Sequence, residues 1–392
     1  MTLAAGVGLE WPEVRDRPTR LERLPQQYFV ALLARVAAEA DRAGPPLVDL
    51  GRGNPELGPP PHVVAELARS AGRADVHGYS PIRGLRRTKE ALAARYRDVY
   101  HVELDPEREI ALIPGTKTGI VELALALADE GETILLPDPY YPDYPSGPAL
   151  AGARLGTVRL DPATGWAPDL DAAPSAAALY LNYPSNPCAV CPPPGTFEDA
   201  VAWAERTGGA VVHDAAYIDL VFDGREPRSF LSLPGAKDVG VELWSMSKSY
   251  GMAGWRIGFV VGNAEIVERI NLLNDHNRVG IFEPLQRAAV AALEGPQDSV
   301  ADRVAAYERR RDLLMPVLPG SVACEGTFFI WVRLPEALTA EQLLEEHRVA
   351  VAPGEGFGPS ARGFARLSLA VDDETVSLAA ERLEHAFAGI AA

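Results

Sequence analysis

One pattern constrains this chain more than any other. From residue 62 to 293, short runs of almost unbroken apolar residues alternate with stretches of helical apolar spacing. The runs "EIALIP", "TILLPDP", "AALYLNYP", "GAVVHDAAY" and "VGVELWSMS" have the length of strands. Around them lie "VVAELARSA", "LRRTKEALAARYRDVY", "TGIVELALALAD", "FEDAVAWAERTG", "AEIVERINLLND" and "PLQRAAVAALEG", with apolar residues three and four apart. A strand that is apolar on both faces must be covered on both faces. The pattern therefore predicts an α/β fold with a mostly parallel sheet flanked by helices.

The flanking segments read differently. "QQYFVALLARVAAEADRAG" (26–44) has helical spacing and ends on glycine, and "DSVADRVAAYERRRDLLMPVL" is a long amphipathic stretch. "TFFIWVRLP", "HRVAVAPG", "FARLSLA" and "ETVSLAAERLEHAFAGI" follow as a small α+β layer. At 392 residues the chain is too long for one simple core. The expected organisation is a large domain over 62–293 and a discontinuous small domain made of 26–61 with 294–392. Residues 1–25 form an N-terminal arm.

Charge and cysteine content narrow the function. The net charge of −17, with no run of Lys and Arg, argues against a nucleic-acid or anionic-membrane surface. No secretory leader or membrane span is visible, and three cysteines make no disulfide framework, so the cytoplasm is the expected compartment. Cys188 and Cys191, in "CAVC", have no second pair to complete a metal site, and none is expected. Gly51, Gly53 and Gly58 resemble a dinucleotide loop, but prolines fill the places where its helix would begin.

Ligands of open parallel sheets bind beyond the carboxyl ends of the strands. The polar residues delivered there are therefore the candidates. "EIALIP" runs into Gly115, Thr116 and Lys117 at a helix start, which offers free amides and a positive dipole end to an anion. "TILLPDP" leads to Tyr140, Tyr141 and Tyr144, which can stack on a planar ligand or pack in a core. "AALYLNYP" leads to Asn182 and Asn186, and "GAVVHD" ends at Asp214 with Tyr217 close behind. "SMSKSYGMAGWRIGF" delivers Ser245, Ser247, Lys248 and Arg256. A lysine set amid apolar residues is costly unless it is paired or its pKa falls. Taken together, these groups suit an aromatic ligand with a phosphate, a ring nitrogen, a phenolic oxygen and an aldehyde. Pyridoxal 5′-phosphate has all four, and a lysine is its covalent anchor.

Over residues 15–388 the chain resembles the fold-type I, class I/II aminotransferases, which depend on pyridoxal phosphate. The motifs are "HDAAY", "SMSKSYGMAGWRIGF", "YPSNP", "ALIPGTKTGI" and "PDPYYPDY". "LGRGNPELGPPP", "GYSPIRG" and "INLLNDH" bring it nearest to the branch with methionine-salvage and LL-diaminopimelate aminotransferases. The resemblance implies a mostly parallel, seven-stranded type of sheet and a smaller α+β domain. It implies that Lys248 forms the internal aldimine and shuttles the proton, that Asp214 pairs with the ring nitrogen, and that Tyr217 and Asn186 bond the phenolic oxygen. Tyr141 would stack on the ring, with Tyr140 as the alternative one register away. Ser245, Arg256 and the amides of Thr116 and Lys117 would hold the phosphate. Tyr79 resembles a tyrosine that reaches the phosphate of a neighbouring subunit, which implies a homodimer. Arg366, in "GFARLSLA", matches the arginine that clamps the substrate carboxylate, and Gly53 lets the backbone approach it. The family pattern has Thr-Gly after Asn-Pro where this chain has Cys188-Ala189.

The implied activity moves an amino group between an amino acid and a 2-oxo acid by a ping-pong route through Lys248. A methionine-like or other neutral amino acid is expected, with glutamine or glutamate as donor. An LL-diaminopimelate-type aminotransferase or a C–S lyase on the same fold is the alternative. "QQYF" and "GTFFIW" can contribute to the substrate pocket, although the latter equally suits a core.

Overall fold

A computed structural model of the chain describes residues 19–389. Most of the expected N-terminal arm, residues 1–18, lies outside the described residues; Thr19–Glu22 form one short helix. The described residues contribute thirteen strands to three sheets. The large sheet holds β2 (Ile110–Ile113), β3 (Thr133–Asp138), β4 (Arg154–Asp161) and β5 (Ala167–Pro168). It also holds β6 (Ala178–Asn182), β7 (Ala210–Asp214), β8 (Gly240–Ser245) and β9 (Gly258–Gly262). Their order is β2-β9-β8-β7-β6-β3-β4-β5.

Strands β4, β3, β6, β7 and β8 are parallel neighbours. β9 is antiparallel to both β8 and β2, which returns β2 to the common direction. β5 adds only a two-residue antiparallel edge to β4. The sheet is thus mixed, with seven full strands. The apolar-run pattern picks out five of these and misses β4 and β9. β4 lies near the edge and alternates charged with apolar residues, while β9 is a bare "GFVVG" between glycines.

Side chains of successive strand residues point to opposite faces. One face of the sheet (Ile113, Leu136, Val212, Leu243, Val260) packs on helices Thr116–Leu127 and Ala264–Asn277. The other face (Leu112, Leu181, Val211, Trp244, Phe259) packs on helices Arg86–Tyr100, Thr196–Thr207 and Glu283–Glu294. A separate core gathers around β10 (Phe329–Arg333) and β13 (Phe364–Ser368), which pair antiparallel with β12 (Ala352–Pro353) at the far edge. Helices Asp298–Leu314 and Asp373–Ala388 cover it. β1 (Val48–Asp49) pairs in parallel with β11 (Val349–Ala350), so a segment from before the large sheet is sewn to one from after it. Among the described residues, no helix is long and apolar enough to cross a membrane.

Candidate active site

The common direction of β2, β3, β6, β7 and β8 brings five carboxyl ends to one edge of the sheet. A cavity of about 610 Å³ opens there. Its wall includes Thr116 and Lys117 after β2, Tyr141 after β3, and Asn182 and Asn186 from β6. Asp214 and Tyr217 follow from β7, and Ser247, Lys248 and Arg256 from β8. Gly53 and Arg366 close it from the opposite side.

Asp214 ends β7 deep in this wall. Tyr144 Oη donates to its Oδ2 at 2.8 Å, and the Ala216 N–H donates to Oδ1 at 3.2 Å. Burial raises the carboxyl pKa, while these two bonds and the nearby Lys248 pull it back. Asn182 locks the same strand ends together. Its Nδ2 donates to the Asp214 carbonyl at 2.8 Å, and its Oδ1 accepts from the Asn186 N–H at 2.7 Å.

Lys248 ends the short turn after β8. Its Nζ donates to the Gly53 carbonyl at 3.4 Å and lies 5.1 Å from the Phe328 ring centre and 5.6 Å from that of Tyr217. Burial, and then the charge of Arg366, push its pKa down from 10.5 to about 8; Asp214 opposes them. Far more free amine therefore exists near neutral pH than for a solvated lysine, and this is the form that acts as nucleophile or base. Burial likewise raises the Tyr217 phenol.

Two guanidinium groups face the cavity with no carboxylate in ion-pair distance among the described residues. Arg366 is buried on β13 against the rings of Phe329, Phe357 and Phe29, at 3.9, 4.8 and 5.3 Å. Nη1 donates to Asn186 Oδ1 at 2.7 Å, while Nε has no partner. Burial lowers its pKa to about 10. A buried cation without a counter-ion is unfavourable, so this fork is built to receive an anion. Arg256 is the second. It is held in a left-handed conformation, with φ of 58°, by bonds to the carbonyls of Ala253 at 2.8 Å and Pro114 at 3.1 Å. A Cβ on Gly115 would run into its Nη2, and the φ of +88° there strains any other residue, so glycine is favoured where this guanidinium meets the helix that starts at Thr116. Lys248 apart, the other two cations of the wall are paired, Arg52 with Asp49 at 2.6 Å and Lys117 with Asp143 at 2.8 Å.

Two predicted residues are not part of this wall. Ser245 is buried behind it and caps the Lys248 turn, accepting from the Ser247 N–H at 3.1 Å; Ser247 lines the cavity instead. Tyr79 is 90% exposed and does not line the cavity. Of the tyrosine pair, Tyr141 faces the cavity, whereas the Tyr140 N–H bonds the Phe357 carbonyl at 2.8 Å. Tyr144 packs on Asp214 instead of stacking on a ligand, and Asn182 ties the strand ends together. Phe29 of "QQYF" lines the cavity as expected, whereas nothing in the sequence marked Phe357. "CAVC" stays outside the site: Cys188 is fully buried, and burial pushes the Cys191 thiol up to about 12.

The family model for aminotransferase class I and II matches residues 45–383. The chain belongs to this family. This aminotransferase is 42% identical to the L-glutamine–4-(methylsulfanyl)-2-oxobutanoate aminotransferase of Bacillus subtilis, covering 93% of this chain and 94% of the relative. It is 36% identical to the LL-diaminopimelate aminotransferase of Moorella thermoacetica, covering 93% and 96%. Its fold matches substrate-bound BacF from Bacillus subtilis with a TM-score of 0.89, 33% identity, and 95% and 98% coverage. It is an amino acid aminotransferase of fold type I, and pyridoxal 5′-phosphate is its cofactor. The site fits that group: an acid-free guanidinium at a helix N-terminus, a lysine of lowered pKa and a buried carboxylate occupy one cavity.

Proposed function

We propose that this aminotransferase exchanges a neutral, methionine-like amino acid with its 2-oxo acid and takes its amino group from glutamine or glutamate. The tally of cations in the cavity carries the reading. Arg256 answers the cofactor phosphate and Arg366 the substrate α-carboxylate. Arg52 and Lys117 are already neutralised by Asp49 and Asp143. Lys248 being taken by the cofactor, no unpaired cation of the cavity lining among the described residues is then left for a second carboxylate on the substrate. The side-chain end of the cavity meets Phe29, Leu33, Ile120 and Phe329 instead. Glutamine, uncharged beyond its α-carbon, suits this wall better than glutamate.

Each residue has a task in this reading. The amides of Thr116 and Lys117 share the phosphate with Arg256, and Ser245 supports them from behind. Tyr141 would lie against the ring, Tyr217 and Asn186 would hold its phenolic oxygen, and Asp214 its nitrogen. The bound cofactor supplies an electron sink for the substrate α-carbon. Asp214 keeps the ring nitrogen protonated, because a buried carboxylate favours a proton next to it. Lys248 would take the α-proton on Nζ and return it two atoms along, beyond the bridging nitrogen. A base so placed contributes on the order of 10²–10⁴-fold. Arg366 fixes which face of the substrate meets Lys248, and Gly53 leaves room, since a Cβ there would lie 3.0 Å from Phe329 Cζ.

The molecule is proposed to act as a cytoplasmic homodimer. Three free thiols support a reducing compartment. Exposed Tyr79, Ile82, Val279 and Phe282 support a self-interface, with Tyr79 reaching the partner's phosphate. The deciding experiment is a panel of amino donors against 2-oxo acids that includes 4-methylthio-2-oxobutanoate. Highest kcat/KM is expected for that acid with glutamine. Preference for LL-diaminopimelate or aspartate, or release of pyruvate and ammonia from a cysteine conjugate without any 2-oxo acid, would overturn the reading.

A further inference from the structure

Behind the cavity wall, one buried carboxylate joins the two turns that carry Tyr217 and Lys248. Asp219 lies two residues after Tyr217, on a turn closed by the Leu220 N–H bond to the Tyr217 carbonyl at 2.8 Å. Its Oδ2 accepts from Ser249 Oγ at 2.5 Å, and Ser249 directly follows Lys248. Its Oδ1 accepts from Arg95 Nη2 at 2.7 Å and from Tyr100 Oη at 2.6 Å.

The far side of this clamp is itself fixed. The Arg95 guanidinium sits among the rings of Tyr250, Tyr100 and Trp244, 5.6, 5.8 and 5.9 Å from their centres. Its Nη1 donates to Gln297 Oε1 at 3.1 Å, which also accepts from Tyr250 Oη at 2.8 Å. Trp244 Nε1 donates to Tyr100 Oη at 3.0 Å. A buried ion pair is a weak source of stability compared with apolar packing, and its best use is to fix one arrangement. Every strong contact of Asp219 is directed, and one of them ends on the residue next to Lys248.

We propose that Asp219 is a positioning residue: through Ser249 it holds the Lys248 amine at a set distance from Tyr217 and Asp214. Neither Asp219 nor Ser249 lines the cavity, so both act through Lys248. This inference rests on the reading of Lys248 as the group that carries the cofactor.

Ser249→Ala in the full-length chain tests it, since the variant keeps Arg95 and Tyr100 on Asp219. The readouts are the rate at which added pyridoxal phosphate attaches to the cofactor-free protein, followed by visible absorbance, together with kcat, KM and Tm. Attachment and kcat are expected to fall about tenfold with KM within twofold, short of the roughly 10²-fold that a displacement of about 1 Å can cost. Asp219→Asn should fall further, and the double variant no further than Asp219→Asn alone. Wild-type attachment and kcat in Ser249→Ala overturn the proposal, as does a lowered Tm with both rates unchanged. Attachment of the wild-type chain at a lysine other than Lys248, found by borohydride trapping and peptide mass, instead overturns the reading of Lys248, and this inference with it.

Discussion

Lys248 is the residue whose surroundings change its chemistry most. Burial, Arg366 and Arg256 all disfavour its charged form, and Asp214 alone opposes them. Its pKa in the folded protein, about 8, therefore lies below the 10.5 of a solvated lysine. Only free amine attacks an aldehyde, so the attachment of added pyridoxal phosphate should quicken with pH and level off above about pH 8. Stopped-flow absorbance reads this directly, and a midpoint near 10.5 would show an ordinary solvated amine. The same shift makes the unfolded chain bind more protons between those two pKa values. The cofactor-free protein should thus gain stability from this group as pH rises through that window, and Lys248→Met should lose the gain. Arg366 is a second residue-scale case. Its guanidinium makes charge-assisted bonds worth about 1.5–3 kcal/mol each, so Arg366→Ala should raise KM for amino acids about 10- to 100-fold. Steady-state kinetics check this, with cofactor titration as the control; loss of the cofactor at unchanged KM would count against a carboxylate clamp. The sequence makes Lys248, Asp214, Asn186 and Tyr217 legible as candidates because they come at or after strand ends, whereas Arg366, inside β13, is legible only through the family resemblance. It does not show the rings of Phe29, Phe329 and Phe357 around Arg366, because an aromatic residue reads alike whether it packs in a core or walls a cavity.

At the scale of elements, the helix that begins at Thr116 and the turn that ends in Arg256 form one anion cradle. Gly115 joins them at a φ of +88°, and any side chain there would run into Arg256. Gly115→Ala should cost about 1–3 kcal/mol in backbone strain. It should also weaken pyridoxal phosphate binding about tenfold or more by displacing the guanidinium, a loss of roughly 1.4 kcal/mol. An absorbance titration measures the effect, and unchanged affinity would remove Arg256 from the phosphate site. Five strands were legible because unbroken apolar runs have few other uses. β4 was hidden by its exposed alternating charges, and β9 by the glycines at both ends. Ser245 illustrates a related limit. The resemblance offers it as a phosphate ligand; that its oxygen accepts from the Ser247 N–H, leaving the O–H free to donate, emerges only from the fold.

For the whole molecule, the exposed apolar patch matters most. The Gly280 backbone packs against Pro81, and the His77 and Phe282 rings stand 6.2 Å apart, so segments 77–84 and 279–282 form one surface. Val279 and Phe282 remain 54% and 40% exposed on it. Phe282→Asp should reduce the mass seen by light scattering to that of the 42.1 kDa chain and lower the affinity for pyridoxal phosphate through loss of Tyr79. A wild-type chain that is already monomeric and fully active would remove the partner from the site. By itself, the sequence determined the α/β class, the parallel run of strands and the residues delivered at their ends. Those follow from local periodicity and from the rule that parallel strands share one carboxyl edge. Only the tertiary structure decided which of those residues face one another. It set Arg366 against Asn186, placed Tyr144 on Asp214 and tied Ser249 to Asp219 across 30 residues. The physical reason is that a pKa, a cavity or an unpaired charge belongs to no residue alone. Each arises from neighbours that folding brings in from distant parts of the chain.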